Sequence, residues 1–594
     1  MKLGKKRKNT IREIVLALWS GMLIVLVLAG CESGSTSEVK AAPTPISFIP
    51  LQLDIPSKAL SAPITGNVPG DQQLHIGVTL KINQQVLDQM SKNGIAKPGD
   101  TANADDIAKK LGISDADYQR FKQFFGVTGA DLHLSQTRTS MTIDIKAGSL
   151  AQLLQTKFVQ HKLDNRTFYT PDPQHMPQIP SILANYILAV TGLDDYSLPP
   201  AHQFHMSSQQ VQQSTASKQV GVNCTPRSNT FGRQQLAHTY GYDQLWARGA
   251  HGENMTVNLV EIDSTNLDDV HAYFACTGFK GSLDFVTVGS APAKVEGETT
   301  LDIEMIAGLA PAAHIKDYQF NNSQGDSWSR FVDTLQRIID DNAAHPNSAS
   351  AVSISLGVGE DFVTGEVAKA MSQRLQLLTR AEYMTVYAAS GDCGAFADRV
   401  VGVLSTSYPS TDTWAVSVGG TSMLRTRAGT SDRYNEIAWS GTPTSPLCQN
   451  DWGSGGGLSK LFKRPPWQQG PGVNNRYSNG YRQVPDIAAL ASNVPIFFKG
   501  KWISVGGTCA ATPIWAAGMA LVNQELLATK GLYVYGPDTF YFVQAHAGNL
   551  KPYYDEVAGD NVYYHAGPGW DYTTGLGSPN LAAFYQTVYN SATV

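Results

Sequence analysis

A chain of 594 residues with 42% apolar and 16% charged side chains is too long for one ordinary core and is expected to fold as two or more domains. Its net charge of −5 excludes the basic footprint of a nucleic-acid binder. Its low charge density suits a surface that avoids self-repulsion in acid.

The chain opens on a basic stretch, MKLGKKRKNTIRE, and an apolar run from Ile14 to Gly30 that ends in LAGC, Leu28 to Cys31. This reads as a targeting segment rather than fold. LAGC resembles the bacterial lipobox. That makes residues 1–31 a lipoprotein-type signal peptide, with Cys31 lipidated and the body held at the outer side of a bacterial membrane. A plain transmembrane anchor is the alternative, for which the apolar stretch is slightly short.

Residues 32–72, beginning ESGSTSEVKAAPTP, read as a flexible tether. Residues 73–205 mix strand patterns (LHIGVTLKI) with helix patterns (SLAQLLQTKFVQHKL), which predicts a small α+β domain. Residues 206–221 are polar and low in complexity, an exposed linker with a candidate cleavage site.

From 222 to 594 the texture changes. Apolar strand-like runs (MTVNLVEID, AHIKDYQF, SAVSISLG, MTVYAAS, WAVSVGG) alternate with helix patterns. This predicts an α/β domain with a mostly parallel sheet and helices on both faces. In such sheets the site lies at the carboxyl ends of the strands.

Three stretches carry candidate chemistry. In ETTLDIEMIAGL, Glu298 and Asp302 stand four apart, on one face of a largely apolar helix. Two buried carboxyls so placed tend to share a proton; a solvated acidic face is the plainer reading. In SGDCG, Asp392 sits in a glycine-flanked turn after an apolar strand, either a local cap or a proton donor to an oxyanion. In GGTCAATP, Cys509 stands at a strand-to-helix turn; a free cysteine there is otherwise a small buried apolar residue. With Cys31 given to lipid, five of the six cysteines remain. At least one thiol is therefore unpaired, and the pairing is left open.

Together these stretches resemble the sedolisin (serine-carboxyl peptidase) family and its kumamolisin-like bacterial members. The family's G-T-S-x-x-x-P motif matches Gly507 to Pro513 except that Cys509 replaces serine. SISLG, YPSTDTWAVSVGGT, SGGGLSKLFKRPPWQ and VPDIAALAS match in order. The resemblance covers about residues 222–594. It implies a subtilisin-like fold preceded by a propeptide domain, and a peptidase acting in acid on proteins or peptides, its own propeptide among them. Glu298 would be the general base, Asp302 its proton-sharing partner, Asp392 the oxyanion donor and Cys509 the nucleophile. It also implies one Ca²⁺, held by the carboxylates of Asp555 and Asp571 and the carbonyls of Glu556, Gly567 and Gly569. Two departures bear on activity. One is the thiol. The other is Leu356, where kumamolisin-like members commonly carry Trp. A binding-only pseudopeptidase is the competing expectation.

Overall fold

The apolar runs form the middle of a mostly parallel sheet in the computed structural model. The structure describes residues 47–202, 205–206, 224–226, 229–323, 325–345, 351–400, 402–428, 433–441, 448 and 452–592. In the N-terminal half, β1 (Gln73–Leu80), β2 (Asp131–Leu134), β3 (Ser140–Lys146) and β4 (Ile187–Thr191) make an antiparallel sheet in the order β4-β1-β3-β2. Next come two short strands, β5 (Ala201–His202) and β6 (His205–Met206). The larger half contains β7 (Thr256–Glu261), β8 (Ser282–Val288), β9 (His314–Phe320), β10 (Ala351–Ile354), β11 (Leu356–Gly359), β12 (Thr385–Ala389), β13 (Val416–Arg427), β14 (Tyr434–Ala438), β15 (Ile487–Leu490) and β16 (Lys501–Gly506). Its main sheet runs β8-β9-β7-β10-β12-β13-β14, with β15 also on β13. All pairings are parallel except that of β13 with the terminal β14.

Side chains alternate across this sheet and feed two cores, as a pleat requires. Val260, Val352, Ile354, Val386 and Ala388 pack with α2 (Ser327–Ala344) and α3 (Gly365–Arg380). Leu259, Ile315, Tyr387, Val416 and Val418 pack with α1 (Glu298–Leu309) and α4 (Thr508–Lys530). Every residue of α1 is buried. Leu301, Met305, Ile306 and Leu309 supply its apolar surface, and the carboxyls of Glu298, Asp302 and Glu304 are buried with them.

Two sequence expectations need correction. Folded structure begins at Phe48, not at residue 73. A strand at Phe48–Pro50, a short helix at Ser57–Leu60 and a strand at Ile64–Asn67 precede β1. Leu51, Ile55, Ala59 and Val68 are buried, so this stretch has a core to join and is no tether. The expected linker also starts late, because Met206 belongs to β6. The signal peptide, Cys31 and residues 207–221 of the linker lie outside the described residues.

Residues Phe48–Val594 form one compact unit, because the N-terminal sheet docks on α2 and α3 through buried polar contacts. The Glu366 carboxylate accepts from the backbone of Val190 at 3.0 Å and of Asp54 at 3.3 Å. Arg374 donates to Thr79 at 3.0 Å, and Ser140 to Gln336 at 3.0 Å.

Deeper in the large half, Arg482 and Asp486 form a fully buried two-bond pair at 2.8 and 2.5 Å. Tyr541 and the Ser417 amide complete the carboxylate at 2.7 and 2.8 Å. Arg482→Ala leaves a charge buried without its partner and is expected to cost about 3–5 kcal/mol, read as a lowered midpoint in urea unfolding.

Candidate active site

Two buried helices meet at their amino ends, and each begins after a glycine whose backbone few other residues adopt. Gly297 precedes Glu298 with φ 114°, and Gly507 precedes Thr508 with φ 143°. The first places Glu298 and Asp302 on the face of α1 that packs against α4; the second places Cys509 in the first turn of α4. Pro513 has no N–H to give the Cys509 carbonyl four residues back. The Ser355 hydroxyl lies 3.4 Å from that carbonyl and donates to Asp302 at 2.7 Å.

The thiol lies against Glu298, close enough that each shifts the other's proton affinity. Burial, then the charge of Asp302, pushes the Glu298 carboxyl well above its ordinary range. Burial raises Asp302 to about 8, against hydrogen bonds from Ser355, Glu261 and Glu298 that pull it down. The Cys509 thiol is pushed well up by burial, then by Glu298, Asp392 and Asp302. The charges that act on the thiol are all carboxyls, the reverse of the electropositive setting that activates a cysteine.

Apart from the Cys509 thiol beside Glu298, both Glu298 oxygens, Asp302 Oδ1 and Glu261 Oε1 are buried with no N–H or O–H donor while all three groups are ionised. Contacts between carboxyls become hydrogen bonds only when one member carries a proton. The run Glu261–Asp302–Glu298 is therefore satisfied by shared protons.

Asp392 lies across from this run, in the turn after β12. Its Oδ1 accepts from the Thr508 amide at 2.7 Å and the Thr508 hydroxyl at 2.9 Å. The same hydroxyl accepts from the Gly391 amide at 3.1 Å. The SGGG stretch braces the turn from behind: the Gly455 amide bonds the Gly391 carbonyl at 2.7 Å, and any Cβ on Gly455 would sit 2.0 Å from the Ser390 carbonyl. A cavity of about 300 Å³ opens beside Asp392, lined among others by Ala201, Gly357 and Asp398. Disulfides join Cys393 to Cys448 and Cys224 to Cys276, which leaves Cys509 as the unpaired thiol among the described residues.

The site also contains residues that the motifs did not single out. Glu261 and Asp317 are fully buried on neighbouring strands, and burial raises both. For Glu261 the available signal was a carboxyl ending a largely apolar strand run, VNLVE; Asp317, in HIKDYQF, carries no such signal. Asp263 caps α1. Its oxygens accept from the amides of Glu296, Gly297 and Thr299 at 2.9 to 3.1 Å. The segment between the two halves runs through the cleft: β5 pairs with β11 (His202 opposite Leu356) and β6 pairs with β16.

The residues expected to hold Ca²⁺ converge on one glycine-rich loop. Asp555 Oδ2 accepts from the Gly569 amide at 2.7 Å, and Asp571 Oδ2 from the Gly567 amide at 2.9 Å. Burial raises both carboxyls, and no Lys or Arg cause offsets it. The Glu556 side chain turns to Arg433 at 2.9 Å and Ser578 at 3.0 Å, leaving the backbone as its contribution to the loop. Two carboxylates on one glycine-rich loop, with no Lys or Arg among the causes that shift them, fit the hard-oxygen donors that Ca²⁺ takes.

Comparison with known proteins agrees with this architecture. Residues 64–196 match the pro-kumamolisin activation domain, and residues 288–539 match the subtilase family. Kumamolisin from Bacillus sp. (strain MN-32) is 28% identical over 561 residues, covering 89% of this chain and 94% of that protein. Sedolisin from Pseudomonas sp. (strain 101) is 24% identical over 611 residues, covering 97% and 98%. The solved structure of Pseudomonas sedolisin with two molecules of pseudo-iodotyrostatin superposes with a TM-score of 0.53 at 24% identity, over 62% of this chain and 99% of that one, a likeness of fold. The chain is thus a homologue of kumamolisin and sedolisin, with a pro-kumamolisin activation domain ahead of a subtilase-like domain.

Proposed function

We propose that this protein is a zymogen of an acid-acting peptidase in which a thiol occupies the nucleophile position. The observation that carries the reading is the Cys509 thiol set against Glu298 in a proton-sharing carboxyl run, with Asp392 fixed opposite by Thr508. Cys509 Sγ attacks the substrate carbonyl while Glu298 takes the thiol proton. Asp302 holds Glu298 in place and shares that proton. Asp392, when protonated, donates to the oxyanion. Glu298 then returns the proton to the departing amine, and water hydrolyses the thioester. Asp392 must carry a proton, and the Glu298–Asp302 pair must hold one proton while accepting a second, so activity belongs to acid. Ca²⁺ would be held by Asp555, Asp571 and the carbonyls of Glu556, Gly567 and Gly569, and would supply charge compensation that stiffens the loop. We further propose export with Cys31 lipidated, expected as a diacylglyceryl mass on the mature N-terminus of protein from membranes; an unmodified Cys31 there refutes it.

The test is a pair of acid-shift gels. At about pH 4, the Cys509→Ser variant is expected to release its activation domain, leaving a mature N-terminus downstream of His202, with wild type following slowly. Both staying intact over days rejects the enzyme. An alkylating reagent is expected to stop the wild type and spare Cys509→Ser.

A second reading, a peptide-binding pseudopeptidase, has one specific support: the buried thiol is pushed up by every carboxyl around it. It requires peptide binding with no cleavage in either form.

A further inference from the structure

In the cleft, β5 lies antiparallel to β11, with Ala201 opposite Gly357 and His202 opposite Leu356. One step further along β11's side of this register stands Ser355, whose hydroxyl is 3.4 Å from the Cys509 carbonyl. A bound peptide in the same register places one residue where His202 sits and the next opposite Ser355, beside the first turn of α4 that carries Cys509. His202 marks the subsite one residue ahead of the attacked bond's acyl residue.

The walls of that subsite are acidic. The His202 Nε2 is 3.7 Å from Asp263 Oδ1 and 3.8 Å from Glu296 Oε2, and Nδ1 is 3.9 Å from Glu298 Oε2. These separations are too long for hydrogen bonds, and both ring nitrogens are buried without one. Ligand atoms of His202, Glu261 and Asp263 all fall within 4.8 Å of one another. The basic side chain seen on this wall is Lys294, 3.5 Å from Glu296 and itself 77% exposed. Burial pulls the His202 ring down while Asp263 and Glu296 pull it up, so the imidazole only partly answers the charge. A longer cation, ending in an ammonium or guanidinium, spans the remaining gap to Glu296.

We propose that this subsite selects a cationic side chain, Lys, Arg or protonated His, at the substrate residue before the one whose carbonyl is attacked, with Glu296 as its main charge partner. The proposal rests on the peptidase reading for its substrate sense, and on the register of β5 and β11 for its geometry. An acidic residue there meets three carboxyls. A leucine offers Glu296 no charge partner and leaves it to the exposed Lys294 alone.

The test has two arms. Cys509→Ser enzyme is given peptides that differ only at this residue, Lys, Arg, His, Leu or Glu, at about pH 4 to 6. The expected kcat/KM for Lys or Arg exceeds that for Leu by about tenfold or more, with Glu lowest. Adding Glu296→Gln compresses the Lys-to-Leu ratio several-fold. Ratios within about twofold across the set overturn the proposal. If Cys509→Ser cleaves none of the peptides, the peptidase reading fails, and the second arm decides the subsite. In the full-length chain, hydrogen exchange is followed at Leu356–Gly359. His202→Lys is expected to keep the wild-type protection, and His202→Glu to exchange about tenfold faster or more. Equal exchange in the two variants overturns the cation subsite.

Discussion

Cys509→Ser is expected to raise kcat/KM for peptide hydrolysis in acid by about 10²-fold or more. Three effects add in the same direction. A thiol with an ordinary pKa is ionised in only about three molecules in 10⁵ at pH 4, and here burial and three carboxyls push it further up, so attack depends wholly on transfer to Glu298. Sulfur is larger than oxygen, and its acyl bond shifts the carbonyl relative to Asp392, which Thr508 holds by two bonds; a displacement of order 1 Å costs about 10²-fold. A thiolate also leaves more readily than an amine, so the tetrahedral species returns to substrate. Ester substrates avoid that last penalty and are expected to show a smaller gain. The measurement is steady-state kinetics on matched peptide and ester substrates. A variant no faster than wild type on either means that the impairment lies elsewhere, with Leu356 and its β11 neighbours the next place to look.

Thermal stability is expected to be greatest in acid and to fall as pH rises from about 4 to about 8. Glu261, Glu298, Asp302, Glu304 and Asp317 are fully buried, and burial raises the proton affinity of each. In the unfolded chain these carboxyls ionise near pH 4, whereas folded Asp302 keeps its proton to about 8. Between those limits the folded state binds more protons than the unfolded state, so stability declines with pH. The contribution is complete below the unfolded values and gone above the folded ones. Each unit of raised pKa corresponds to about 1.4 kcal/mol, so even partial expression of these shifts predicts a fall in Tm of about 5 °C or more. Combining Glu298→Gln with Asp302→Asn removes two titrating groups and is expected to flatten the curve. Scanning calorimetry at a series of pH values decides it; a Tm higher at pH 8 than at pH 4 contradicts the proton-sharing run.

Much of the fold was legible because its signals are local. The apolar runs around Val257, Ile315, Val352, Val386 and Val418 became the parallel sheet, since strands buried on both faces need no alternation. Leu301, Met305, Ile306 and Leu309 around the carboxyls marked a largely apolar helix inside the core. The stretch from Phe48 to Asn67 was misread because its prolines and small residues hid the alternation of Leu51 and Ile55, which bury against a sheet formed by distant residues. The disulfides were closed to sequence reasoning for the same reason: partners 52 and 55 residues apart carry no spacing signal.

What the sequence determined by itself was the kit of parts: a thiol at a strand-to-helix turn, two carboxyls one helical turn apart, and an aspartate between glycines. Short-range geometry sets those relations, and chain order preserves them. Tertiary structure alone decided what faces what. Strand pairing brought Glu261 and Asp317 beside the helix carboxyls, made Asp263 a helix cap, and threaded His202 onto the acidic wall of the cleft. The physical reason is that a carboxyl's proton affinity depends on burial and on neighbours distant in sequence, and only the folded chain supplies both.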